Sequence, residues 1–263
     1  MKNTECHGYL GSMGFFNSLG MDIGHAHSRA VESGNFIPIT KINRVDFEEE
    51  ASAWGRAVPE HVEGRADAIA QTLLQEFGSS NFITVQYVIR EIIRNVFEHS
   101  QSSEMWYCAQ NWPTKNQVNA VISDFGVGIA GTLRSRSEYS ELSDTEALDN
   151  ALLSGVTSAP MRDNGADRYF NTGYGLYAAK RICEMSGVLC VFSGSAAVRI
   201  ARGSYKKFEC NIPGTIVSIT LEPSKISNLS AFLASIASEG QRSASMTAGA
   251  YTGEASSASR NVK

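Results

Sequence analysis

The feature that most restricts how this chain folds is the apolar rhythm of residues 82–99. Val85, Val88, Ile89, Ile92, Ile93 and Val96 recur at the spacing of one helical face. A helix with so long an apolar arc must bury it against a second layer, so the chain needs a packed core. Glu91, Asn95 and His99 follow one another at i, i+4 and i+8 and form a polar stripe beside that arc. At the rim of a core, a carboxylate and a carboxamide point into a cleft. Taken alone, the stripe reads equally well as a solvated helix edge.

Composition agrees with a globular chain. Of 263 residues, 43% are hydrophobic and 19% charged. The formal net charge of −4 gives no general attraction for nucleic acid or an anionic membrane, and neither is expected as a partner. No run of about eighteen apolar residues predicts a transmembrane helix, and the N-terminus lacks the apolar stretch of a signal peptide. The five cysteines, Cys6, Cys108, Cys183, Cys190 and Cys210, show no CxxC spacing. They predict neither a disulfide framework nor a zinc site, but reduced thiols in a cytoplasmic protein.

The predicted organisation has three parts. Residues 1–45 form a glycine-punctuated arm or small subdomain, with a strand at 35–43 that Pro38 assigns to a sheet edge. GYLGSMG in this arm lacks the Lys-Ser/Thr that a phosphate-binding P-loop requires. Residues 46–224 form the main domain. Its expected elements are a helix from Val58 to about Phe77, the helix at 82–99, and strands at 105–112 and 117–124. A polar stretch over 130–172 has a helix near 144–154. A helix over 175–186 and four short strands at 188–193, 197–202, 206–211 and 215–222 complete it. Residues 225–263, rich in small and polar residues, are expected to be a disordered tail.

Three further motifs accompany the helix stripe. Ser123-Asp124-Phe125-Gly126-Val127-Gly128-Ile129 puts an Asp at the end of an apolar strand, followed by two glycines that let backbone approach a ligand. Asn171-Thr172-Gly173-Tyr174-Gly175-Leu176 is a glycine-rich loop opening a helix, and free N–H groups at a helix start suit polyphosphate. Gly214-Thr215 begins a late alternating strand. Each is weak alone. Their order is E-x-x-x-N on a helix, DxGxG after a strand, a polar stretch, GxGL on a helix, then Gly-Thr. That order resembles the ATP-binding domain of the gyrase, heat-shock chaperone, histidine kinase and MutL (GHKL) superfamily, over residues 60–222.

The resemblance implies a Bergerat-type α+β two-layer sandwich, a mixed, mainly antiparallel sheet with helices on one face, binding ATP and Mg²⁺. Residue by residue, it implies that Asn95 holds the metal and Glu91 activates a water. Asp124 reads the adenine amine with support from Thr215. Gly126, Gly128 and Ile129 line the base pocket, and Thr172, Gly173, Tyr174, Gly175 and Leu176 close on the phosphates. Lys180, one turn further on, is a candidate phosphate contact, as are Arg162 and Arg168, although a solvated lysine fits that position equally. His99 is expected as a hydrogen-bonding partner rather than a catalyst, and Thr157 and Ser158 fall near the pocket.

Three functions follow from that resemblance. The first is an ATP-Mg-binding regulatory protein that hydrolyses ATP slowly through Glu91 and signals to a protein partner or a second copy. The second is a protein kinase. For a histidine kinase, His61 lacks the acidic-then-proline context of a phosphoacceptor; a serine kinase acting in trans stays open. The third is an ATP-gated binding module without turnover.

Overall fold

The computed structural model describes residues 4–23, 34–156, 173 and 175–226. Two short helices, α1 (Thr4–Ser12) and α2 (Phe15–Ser18), precede strand β1 (Phe36–Asn43). Helices α3 (Arg44–Ala53), α4 (Val58–Leu74) and α5 (Ser80–His99) follow. Next come the hairpin of β2 (Glu104–Trp112) and β3 (Gln117–Asp124), then α6 (Gly128–Leu133), α7 (Asp144–Ala151) and α8 (Gly175–Ser186). A long hairpin of β4 (Gly187–Ala201) and β5 (Ser204–Leu221) completes the described fold.

The five strands form one sheet in the order β1-β2-β3-β5-β4. Every pairing is antiparallel, so the sheet is not mixed as expected. β1 is an outer strand of this sheet, so Phe36–Asn43 pairs directly with the main body. Pro38 lies in that edge strand, at a register shift between Ile37 and Thr40, where the missing N–H costs no ladder bond.

Alternation along the strands sorts the two faces. Met105, Tyr107 and Ala109 on β2 and Val118, Ala120 and Ile122 on β3 are buried, while their neighbours are partly exposed. The buried face carries α4, α5 and α8, and the arc of α5 from Val85 to Val96 lies wholly within this core. Helices are not confined to that face. Tyr9 of α1 packs against Trp112 at 5.5 Å between ring centroids, and Ser18 of α2 borders a groove with Trp106, Cys108 and Val121. These outward residues are apolar enough to recruit cover of their own.

Local chemistry explains the element ends. Ser79 caps α5 by accepting from the Phe82 N–H at 3.0 Å. Ser143 and Glu146 form a reciprocal capping box at the start of α7. Helix α4 stops at Leu74, not near Phe77, because Gln75 takes a left-handed conformation with φ 57°. Phe77 is consequently 71% exposed. The four short strands expected at the C-terminal side are two long ones. Gly194 and Gly214 bend the ladder at register shifts without ending it, and only Arg202-Gly203 is a true turn.

Candidate functional site

The end of β3 shows how a turn becomes a pocket floor. Asp124 is 4% exposed, and its Oδ1 accepts the Gly126 N–H at 2.8 Å. Burial pushes its carboxyl pKa up, and backbone N–H bonds from Gly126 and Thr215 oppose that rise. The loop is pressed onto the C-terminus of α5, where the Val127 N–H donates to the Ser100 carbonyl at 2.8 Å. A Cβ on Gly126 would lie 1.8 Å from that carbonyl oxygen, so no other residue fits without displacing backbone. Gly128 takes φ +71°, where a side chain is strained.

Ser193 on β4 ties the floor together. Its hydroxyl accepts from the Ile129 N–H at 2.8 Å, lies 3.1 Å from the Gly214 carbonyl, and lies 3.3 Å from the Thr215 hydroxyl. Thr132 donates to the Gly128 carbonyl at 2.9 Å and fixes the first turn of α6. Nothing in the sequence marks Ser193. A serine next to a strand glycine is common, and only the β4–β5 register brings it beneath Gly128.

Above this floor opens a cavity of about 780 Å³, counting the solvent at its mouth. Asn95, His99, Asp124 and Thr215 supply its polar groups, with Gly128, Gly173 and Gly175 at its wall. Ile92, Ile122, Ile129, Leu176 and Val217 are among its apolar lining. Four separated sequence segments therefore converge on one hollow. The His99 imidazole has its pKa lowered, chiefly by burial, with Arg94 lowering it further and Glu98 opposing. It is thus neutral near pH 7.

Beside the mouth, α6 and α7 build a small second core from Leu133, Tyr139, Ala147 and Val156, among others. Asp144 anchors it to the sheet by accepting from the Ser195 N–H at 2.8 Å and from Arg134 at 2.8 Å. These donors hold the Asp144 carboxyl below its ordinary range.

Several expected residues sit elsewhere. Glu91 is only 7% exposed and does not line the cavity. Its Oε1 accepts from Arg90 at 2.8 Å and is paired with Arg94 at 3.5 Å, while Arg94 Nε reaches Glu98 at 2.7 Å. Its Oε2 lies 2.7 Å from the point where a Cβ on Gly175 would stand, so the carboxylate packs under the start of α8. The polar stripe of α5 is therefore split: Glu91 belongs to a buried ion-pair cluster, whereas Asn95 and His99 face the cavity. Gly126 acts behind the lining through its contact with Ser100. Lys180 also does not line the cavity, and its ammonium sits 5.9 Å from the Tyr205 ring. Thr172, Tyr174, Thr157, Ser158, Arg162 and Arg168 lie outside the described residues.

Among the described residues, no cluster of three or more His, Cys, Asp or Glu is arranged to hold a metal ion. No helix among them is long and apolar enough to cross a membrane. Compared with models of known protein families and with curated proteins, the sequence matches none of them.

Proposed function

We propose that this chain is an ATP-Mg-binding regulatory protein with a Bergerat-type nucleotide site, and that it hydrolyses ATP slowly. The observation that carries the reading is the convergence of Asn95, Asp124, Gly128, Gly175 and Thr215, from four motifs far apart in sequence, on one cavity. A buried carboxylate at the floor suits the exocyclic amine of adenine, since a charge-assisted bond contributes about 1.5–3 kcal/mol. The apolar walls around Ile129 and Val217 suit the faces of a base. The start of α8, with Gly175 and Leu176 at the cavity wall, supports a phosphate site, since the positive end of a helix favours anions.

A single carboxamide oxygen fits magnesium, a hard ion that keeps most of its waters and takes its other ligands from phosphate. Asn95 is the residue that would hold it. The ion's contribution would be to neutralise charge on the phosphates.

The placement of Glu91 supports slow rather than fast turnover. One oxygen already accepts from guanidinium groups, and the other is packed under Gly175. The residue must shift before it can accept a proton from water. The same observation favours a second reading, an ATP-gated binding module without hydrolysis. Incubation with γ-labelled ATP separates the two. Free phosphate at a low rate supports the first, and bound ATP without release supports the second. Label on this chain or on a co-purifying protein supports a kinase and overturns both.

A further inference from the structure

We propose that the outer edge of β5, from Ser204 to Ile212, is an interface on which a second copy of this chain docks, continuing the sheet across a two-fold axis at Phe208. This proposal stands whether or not the cavity takes a nucleotide.

The edge is open for a topological reason. β3 pairs with β5 only from Thr215 to Leu221, because β3 ends at Asp124 opposite Thr215. β4 continues along β5 to Ser204, with register shifts at Gly194 that bend this distal hairpin. Among the described residues, the stretch from Ser204 to Ile212 therefore has a strand on one side only. Alternate N–H and C=O groups on its other side face away from β4, and such a row is a template for another strand. Tyr205, Lys206, Lys207, Phe208 and Glu209 are all exposed, Phe208 at 50%. Pro213, with no N–H, closes the open stretch where β3 takes over.

The occupant follows from the sequence of the edge, which is complementary to itself. Phe208 is the midpoint of Ser204–Ile212, so an antiparallel copy centred there uses the whole open stretch. In that register Phe208 meets its own counterpart, and Lys207 opposes Glu209 of the other copy twice over. Tyr205 opposes Asn211, and Lys206 opposes Cys210. Opposed residues in an antiparallel pair share a face, and this register keeps that parity. Lys207 and Tyr205 already share a face, since both bond to Asp149 of α7. A shift of the axis to residue 207 would set Lys207 against Lys207, so charge selects the Phe208 register. A closed two-fold contact of this kind stops at a dimer and leaves no free copy of the edge.

Sedimentation equilibrium of the full chain tests the inference. The wild type is expected to dimerise. Lys207→Glu and Glu209→Lys each turn two attractive pairs into two repulsive ones, and each should weaken the dimer by about tenfold or more; Glu209→Lys is the cleaner test, because Lys207→Glu also breaks the Lys207–Asp149 pair within each copy. The double swap should restore the affinity. Under mild oxidation Phe208→Cys should give a cross-linked dimer that the wild type and Tyr205→Cys do not. All these positions are exposed, so the variants are expected to fold, which circular dichroism checks. A wild type that stays monomeric at the highest concentration it tolerates overturns the proposal. So does a dimer indifferent to both single charge reversals. A monomer that instead binds a short alternating Glu-Val peptide along this edge overturns the second copy as its occupant.

Discussion

Replacing Gly126 by alanine isolates the contact that shapes the pocket floor. Glycine in such a loop is usually explained by positive φ or by a ligand, but Gly126 has neither requirement in the free protein. The constraint is the Ser100 carbonyl, whose oxygen would stand 1.8 Å from the new Cβ, with the carbonyl carbon at 2.6 Å. Both are backbone atoms at the end of a buried helix, so a rotamer change cannot relieve the overlap. Relief requires the loop to lift. Lifting stretches the Val127 N–H bond to the same carbonyl, worth about 0.5–1.5 kcal/mol, and repacking adds about 1–3 kcal/mol. The expected destabilisation is about 2–4 kcal/mol without any ligand. Gly131→Ala in α6 is the control. Its Cβ would meet Val127 side-chain atoms at 3.0 and 3.5 Å, and alanine gains about 1 kcal/mol of helix propensity, so the net change should be small. Urea unfolding followed by circular dichroism measures both. A Gly126→Ala variant within about 0.5 kcal/mol of wild type refutes the contact argument.

Three further outcomes are expected. In the free protein, burial raises the Asp124 pKa above its unfolded value of about 3.9, so the carboxylate costs stability once pH rises through the folded pKa. Asp124→Asn should therefore be at least as stable as wild type at pH 7 in thermal melts, with that relative advantage disappearing below about pH 4. His99 has a lowered pKa and lines the cavity, so its neutral form stabilises the fold above about pH 6.5 and that contribution fades as pH falls. Bound polyphosphate favours its cation, so ATP affinity should rise between pH 7.5 and 6 in wild type by calorimetry and stay flat in His99→Gln. Glu91→Gln should retain ATP binding within about threefold but release phosphate at least about tenfold more slowly, and unchanged release removes Glu91 as the base.

Periodicity made the helices and the central strands legible, because burial on one face writes itself into residue spacing. The α5 arc and the strand over 117–124 are the clearest cases. The breaks in β4 and β5 are ambiguous in sequence because glycine signals a bulge and a turn alike, and only pairing partners tell them apart. Element α3 carries no periodic signal, since its polar sequence buries just Phe47 and Ala51. At the site, Asp124, Asn95 and the glycines stood out through motif order. The placement of Glu91 did not, because whether a helix-edge carboxylate faces a cleft or two neighbouring arginines depends on where α8 comes to rest. Ser193 had no local signal, as its role exists only through strand register.

The cavity above Asp124 is proposed to hold ATP-Mg by its base. Isothermal titration of ATP with Mg²⁺ into wild type and Asp124→Asn tests it most directly, with circular dichroism verifying that both are folded. Losing one charge-assisted bond to the adenine amine predicts affinity at least about tenfold weaker in the variant. Equal affinity in the two proteins, or no heat of binding in wild type, contradicts it.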